Sequence, residues 1–194
     1  VGEELTHREC TGSGDAFFSR TFRKWMMRFD PTKYPKLQSI HLHTNATLWN
    51  ESNWTRMQNV HRFVKSCEIS VDAACKDTYE NKTRLGGKWD TLMSNLEYIS
   101  NIPTLKNVTL SFVVQNDNFT EMKNFYELAG KIFGGKNKEW SVFYNRVVIW
   151  GHWSDEKFNS VDVGNPNHSQ FPELMKVYRT LPQVTNIRHN LTII

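Results

Sequence analysis

The stretch from Val64 to Ile99, VKSCEISVDAACKDTYENKTRLGGKWDTLMSNLEYI, constrains the fold more than any other part of the chain. It reads as a strand, a break and a helix in succession. In the strand, Cys67, Ile69, Val71 and Ala73 alternate with Glu68, Ser70 and Asp72, so one face is apolar and the other polar. Arg84-Leu85-Gly86-Gly87 then supplies a break. Trp89, Leu92, Met93, Leu96 and Ile99 follow at spacings of three and four, a single apolar stripe on a helical period. A strand with an apolar face for its own helix is one unit of an α/β layer protein. Polar groups on the other face need partners or a ligand, because sheet and barrel interiors are ordinarily filled by Val, Ile and Leu.

The same unit recurs along the chain. Residues 5–10 form a short strand candidate that runs into Thr11-Gly12-Ser13-Gly14-Asp15, where small residues allow a tight turn and close approach to a ligand. Asp15 stands where a helix would begin, as its N-cap or as a ligand carboxylate. Phe18, Phe22, Trp25, Met26 and Phe29 form the stripe of that helix, and Asp30-Pro31 stops it. Ser39 to Thr44 is the next strand, with Ile40 and Leu42 on one face and His41, His43 and Asn45 on the other. Trp54, Met57, His61 and Val64 fit one helix capped from Asn50 to Asn53. Asn107 to Gln115 is a further strand, and Met122 to Phe133 a helix closed by Gly134-Gly135. Ser141 to Trp150 is the last strand.

Five strands with four intervening helices predict an α/β fold: a mostly parallel sheet with right-handed crossovers, curved into a partial (β/α) barrel with its helices outside. Residues 1–158 form this barrel, and 159–194 an irregular C-terminal tail with one short helix around Glu173 to Arg179. Ligands in such folds bind at the carboxyl ends of the strands. Those ends carry Ser13 to Asp15, Thr44-Asn45, Ser70 to Asp72, Gln115-Asn116 and Trp150-Gly151.

At 194 residues the chain is one domain, or one domain with a tail. Its net charge of +4 is spread along the sequence, which permits anionic ligands but gives no basic stripe for nucleic acid. No apolar run has the length of a membrane helix, and no signal peptide precedes the first structured segment. Cys10, Cys67 and Cys75 are an odd set with no metal-ligand spacing, which reads as reduced thiols in a cytoplasmic protein. Eight Asn-x-Ser/Thr acceptors, at Asn45, Asn50, Asn53, Asn81, Asn107, Asn118, Asn167 and Asn190, are what a secreted glycoprotein would show. Asn45 and Asn107, however, fall at strand edges inside apolar runs, and a chain simply rich in Asn and Thr gives the same matches.

The segments TGSGDAFFS, IHLHTNATLW, EISVDAACKDTYE, GGKWDTLMSNLEYI, LSFVVQNDNFTEM and VVIWG occur in the order and at the intervals found in radical S-adenosylmethionine enzymes, and the chain resembles that family over roughly residues 5 to 158. It is most similar to the branch that modifies peptides or proteins. The resemblance implies a partial β/α barrel in which a 4Fe–4S cluster, held by a C-x3-C-x2-C loop after the first strand, cleaves S-adenosylmethionine to a 5′-deoxyadenosyl radical that abstracts hydrogen from a substrate. By position, Gly12-Ser13-Gly14-Asp15 resembles the Gly-Gly-Glu motif that receives the methionyl amino group, with Asp15 in the acidic place. Ser70 and Asp72 match the ribose-contacting strand, Asn45 a Thr-Asn-Gly-like turn with Ala46 for Gly, and Val113 and Gln115 the strand near adenine. Arg146 lies on the strand after that.

No C-x3-C-x2-C occurs in the chain. Under this resemblance the first strand and cluster loop are expected before Val1. The chain is then a truncated fragment, or a degenerate relative that binds without catalysis, and in either case it holds no cluster. Its substrate, peptide, protein or small molecule, is not specified. A different reading gives His41-x-His43, two same-face histidines on a strand, to the metal of a barrel hydrolase, with Asp72 as a further ligand. The alternative for this pair is interior hydrogen bonding to Glu68 or water.

Overall fold

A computed structural model describes residues 6–10, 15–149, 151 and 153–191. Six strands make one sheet: β1 (His7–Cys10), β2 (Ser39–Thr44), β3 (Val64–Ser70), β4 (Asn107–Val114), β5 (Glu139–Arg146) and β6 (Ile187–His189). Their order in the sheet is their order in the chain. The strands run parallel, and the sheet is open, not closed into a barrel. The α/β reading holds, in the form an incomplete (β/α) barrel requires.

Between the strands lie α1 (Arg20–Met27), α2 (Glu51–Thr55), α3 (Gln58–His61), α4 (Lys76–Thr78), α5 (Trp89–Ser100) and α6 (Met122–Phe133). α7 (Asp155–Val161) and α8 (Phe171–Arg179) follow β5. Each parallel step needs a crossover, and the helices supply it. The described residues divide into two compact units.

The first unit comprises Val1–Ser70, Asp90–Thr109 and Ile132–Trp140. β2 pairs with β1 and β3 in parallel register, His41 opposite Glu9 and Ser66. Its alternation is kept: Ile40, Leu42 and Thr44 are buried, while Ser39, His41 and His43 are half-exposed. Val64, Cys67 and Ile69 of β3 and Leu92, Leu96 and Ile99 of α5 join that core. An aromatic cluster packs beside it, Phe17 stacked on Trp49 at 4.9 Å and Trp54 stacked on His61 at 4.1 Å.

The second unit comprises Val71–Trp89, Leu110–Lys131 and Ser141–Ile194. Phe112 of β4, Phe125 of α6 and Tyr144 of β5 form its aromatic centre, with ring centroids 4.8 to 6.2 Å apart. The Tyr144 hydroxyl donates to the Met122 carbonyl at 2.6 Å, so the buried phenol is satisfied. β5 and β6 are parallel, with Tyr144 opposite His189.

Four expectations need correction. The single helix drawn through Trp54, Met57 and His61 is two helices. The Met57 N–H turns back to the Trp54 carbonyl three residues earlier at 2.8 Å, the His61 ring takes the same carbonyl at 2.7 Å, and Val64 already opens β3. β3 ends at Ser70, and Asp72 has a left-handed backbone (φ 63) that takes it out of the strand's alternation. β5 runs from Glu139 to Arg146, short of Trp150, which lies outside the described residues. Finally, the tail adds a strand, β6, where three residues with one aliphatic side chain give no alternation to read.

Candidate functional site

In the first unit, the end of β2 is built around one carboxylate. Asp15 Oδ1 accepts the Phe17 and Phe18 N–H groups at 2.8 and 3.0 Å, which makes it the cap of a turn. Its other oxygen accepts the Thr44 hydroxyl at 2.7 Å and the Asn45 N–H at 2.5 Å. Asp15 therefore ties the loop after β1 to the end of β2. The cap of α1 is Ser19, whose Oγ accepts the Phe22 N–H, so Asp15 is not the helix cap. Asn45 Oδ1 accepts from the Thr47 N–H at 3.0 Å and its hydroxyl at 2.6 Å, a side-chain-closed turn that carries Ala46 into the left-handed region (φ 60). The buried Asn95 amide holds the far side of that turn, donating to the Ala46 and Thr47 carbonyls at 2.8 and 3.0 Å. The sequence gave no sign of Asn95 beyond a polar residue on the helix stripe.

Ser70 closes β3 and hydrogen-bonds His43 Nε2 at 3.1 Å. His41 Nδ1 meets Ser66 Oγ at 2.8 Å, and His43 lies 3.9 Å from Glu68. The two histidines thus form cross-strand pairs with hydroxyls on the polar face of the sheet. Among the described residues, no group of three or more His, Cys, Asp or Glu side chains could hold a metal ion.

In the second unit, Asp72 is 5 % exposed. Its Oδ1 accepts the Val113 N–H of β4 at 2.7 Å, and its Oδ2 meets the Arg84 guanidinium at 2.5 Å. Burial pushes the Asp72 carboxyl above its ordinary range, against the pull of Arg84 and the Val113 N–H. Arg84 follows a single π-helical turn, Tyr79–Thr83, and its Nε is buried with no hydrogen-bond partner. Gly87 is required here, because a Cβ would lie 2.6 Å from the Tyr79 ring. Asn118, fully buried, accepts from the Gln115 N–H at 2.8 Å and donates to the Asp72 and Val113 carbonyls at 3.0 and 2.9 Å. Its amide is committed to these bonds, so Asn118 cannot accept a glycan in the folded chain.

Glu121 secures the loop that follows Asp72. It accepts the Ala74 N–H at 2.6 Å, the Thr78 hydroxyl and the Cys75 thiol. Arg146 belongs to a separate group: its Nε and Nη2 grip the carboxylate of Asp162, which is completely buried.

Of the expected site residues, Asp15 and Asn45 are joined directly. Asp72 and Gln115 are joined through Asn118. Ser70 pairs with His43, and Arg146 with Asp162. Ser13 and Gly14 lie outside the described residues. Sequence reasoning missed Asn95, Asn118, Glu121 and Asp162, all polar residues whose partners are distant along the chain. Arg84 was read only as part of a break.

An iron–sulfur cluster does not fit these residues. Burial pushes the Cys67 thiol far up, away from the thiolate that iron needs, and Cys75 is spent on Glu121. No helix among the described residues is long and apolar enough to cross a membrane. No protein-family model matches the chain, and no curated protein matches it.

Proposed function

We propose that the chain is the S-adenosylmethionine-binding part of a radical S-adenosylmethionine enzyme, a cytoplasmic protein whose cluster thiolates come from outside these residues. The observation that carries this reading is a pair of left-handed, non-glycine residues. Ala46 and Asp72 each stand two residues beyond the carboxyl end of a parallel strand, β2 and β3. Such backbone is costly for residues with a Cβ, and it is kept where neighbouring groups enforce it, as at ligand sites. In both cases side-chain hydrogen bonds enforce it, and carboxyl ends of parallel strands are where α/β folds bind ligands.

The residues assigned to binding are Asp15, Asn45 and Ser70 in the first unit and Asp72, Gln115 and Arg146 in the second. Their chemistry suits a zwitterionic nucleoside: carboxylate and hydroxyl oxygens for an amino group and ribose, a guanidinium for a carboxylate. These residues have no place for the cluster, so the chain alone should bind S-adenosylmethionine without cleaving it.

Calorimetric titration tests this. Saturable binding of S-adenosylmethionine is expected, weakened roughly tenfold in Ser70→Ala and in Asp15→Asn, the loss of about one hydrogen bond to a charged or buried partner. A folded chain with no measurable affinity, or full affinity in both variants, removes the reading.

A further inference from the structure

Arg146 is the last residue of β5, and both its backbone and its side chain are held. Its N–H donates to Asn190 Oδ1 at 2.6 Å, and the Asn190 N–H donates to the Tyr144 carbonyl at 3.2 Å, which extends the β5–β6 pairing past His189. The guanidinium meets Asp162 edge-on: Nε lies 3.0 and 3.2 Å from the two carboxylate oxygens, and Nη2 2.6 Å from one of them. An edge-on pair fixes the plane of the guanidinium as well as its position, which an ammonium could not do.

Two further contacts make the arrangement rigid. Gly164 lies against the Arg146 stem, so close that a Cβ there would sit 3.3 Å from Cγ and Cδ and 3.2 Å from Asp162 Oδ1. Asp162 is itself anchored by its backbone, its N–H on the Phe158 carbonyl and its carbonyl under the Asn165 N–H. Asp162 is 0 % exposed, yet the Arg146 side chain remains 30 % exposed. Burying a whole carboxylate only to tie down a loop is an expensive choice, since apolar residues make such ties at less cost. Aiming a cation is what the carboxylate adds.

We propose that Asp162 is a positioning residue: it holds the Arg146 guanidinium in a fixed plane at the carboxyl end of β5 so that it can receive the carboxylate of S-adenosylmethionine. This rests on the reading of Arg146 as a ligand-binding residue. A merely structural pair would affect every ligand alike, whereas a positioned guanidinium favours ligands that carry the carboxylate.

The test compares S-adenosylmethionine with its decarboxylated analogue by calorimetry. The intact chain should prefer S-adenosylmethionine by tenfold or more, and both Asp162→Asn and Arg146→Lys should reduce that preference about tenfold while leaving affinity for the analogue unchanged. The charge-exchanged chain, Arg146→Asp with Asp162→Arg, should recover thermal stability lost in Arg146→Asp alone but not the preference. If Asp162→Asn fails to fold, Gly164→Ala, which crowds the Arg146 stem, gives the same readout. Preference intact in the folded Asp162 or Gly164 variant overturns the positioning role while leaving the functional reading in place. Absence of binding to either compound by the intact chain overturns that reading itself.

Discussion

Asp15 and Asp72 perform the same mechanical task with opposite electrostatics. Each sits in a loop after a strand, and each reaches across to a backbone N–H of the next strand in order, Asp15 to Asn45 and Asp72 to Val113. Asp15 is half-exposed and takes only neutral donors in its described hydrogen bonds: two N–H groups of its own turn, one hydroxyl and one further N–H. Asp72 is buried and takes a guanidinium. A half-exposed carboxylate keeps part of its hydration, so neutral donors suffice. A buried one needs an opposite charge, and that charge then depends on the carboxylate in return.

The comparison predicts unequal penalties. Asp72→Ala leaves Arg84 without its counter-ion and the Val113 N–H unmet, and should cost about 3 kcal/mol in urea denaturation. Asp15→Ala removes hydrogen bonds but strands no charge, and should cost about 2 kcal/mol, since water reaches the freed donors. Equal or reversed penalties would break the contrast.

The two sites should also differ in their response to acid. The folded Asp72 carboxyl holds its proton more tightly than the unfolded one. Its contribution therefore favours the fold at acid pH and is lost as the pH rises through the raised folded value. Asp72→Asn should remove this slope, so that denaturation midpoints of variant and parent converge towards about pH 4 and separate in the variant's favour towards neutrality. Constant separation across that range would show that Arg84 outweighs burial. The smallest effect is expected at Thr44→Val, which deletes a hydroxyl that donates to Asp15 and accepts from the Ala46 N–H. About 1 kcal/mol is expected, measured in the same way.

What was legible in the sequence follows the range of the interactions concerned. Alternation in Ser39 to Thr44 and the helical stripe of Trp89 to Ile99 are local patterns, and both elements stand nearly where the patterns put them. Two-residue turns at strand ends were legible only as polar positions. That Asp72 leaves the strand depends on Val113, forty-one residues away, and that Asn118 serves as a hub depends on Asp72. Asp162 carried no signal because its partner, Arg146, is brought to it only by the turn after β5 and α7. β6 was invisible for another reason: its three residues are ordered by β5 and by Asn190, not by their own alternation.

The strand order has a consequence for how such a chain comes together. Because neighbours in the sheet are consecutive along the chain, every strand after β1 meets a template that has already been synthesised. None has to wait for a partner made later, as a strand inserted between two others would. Assembly from a ribosome can proceed by accretion, each helix returning the chain to a single growing edge. That edge is also where a stalled intermediate would be stickiest, and it moves forward with every strand laid down.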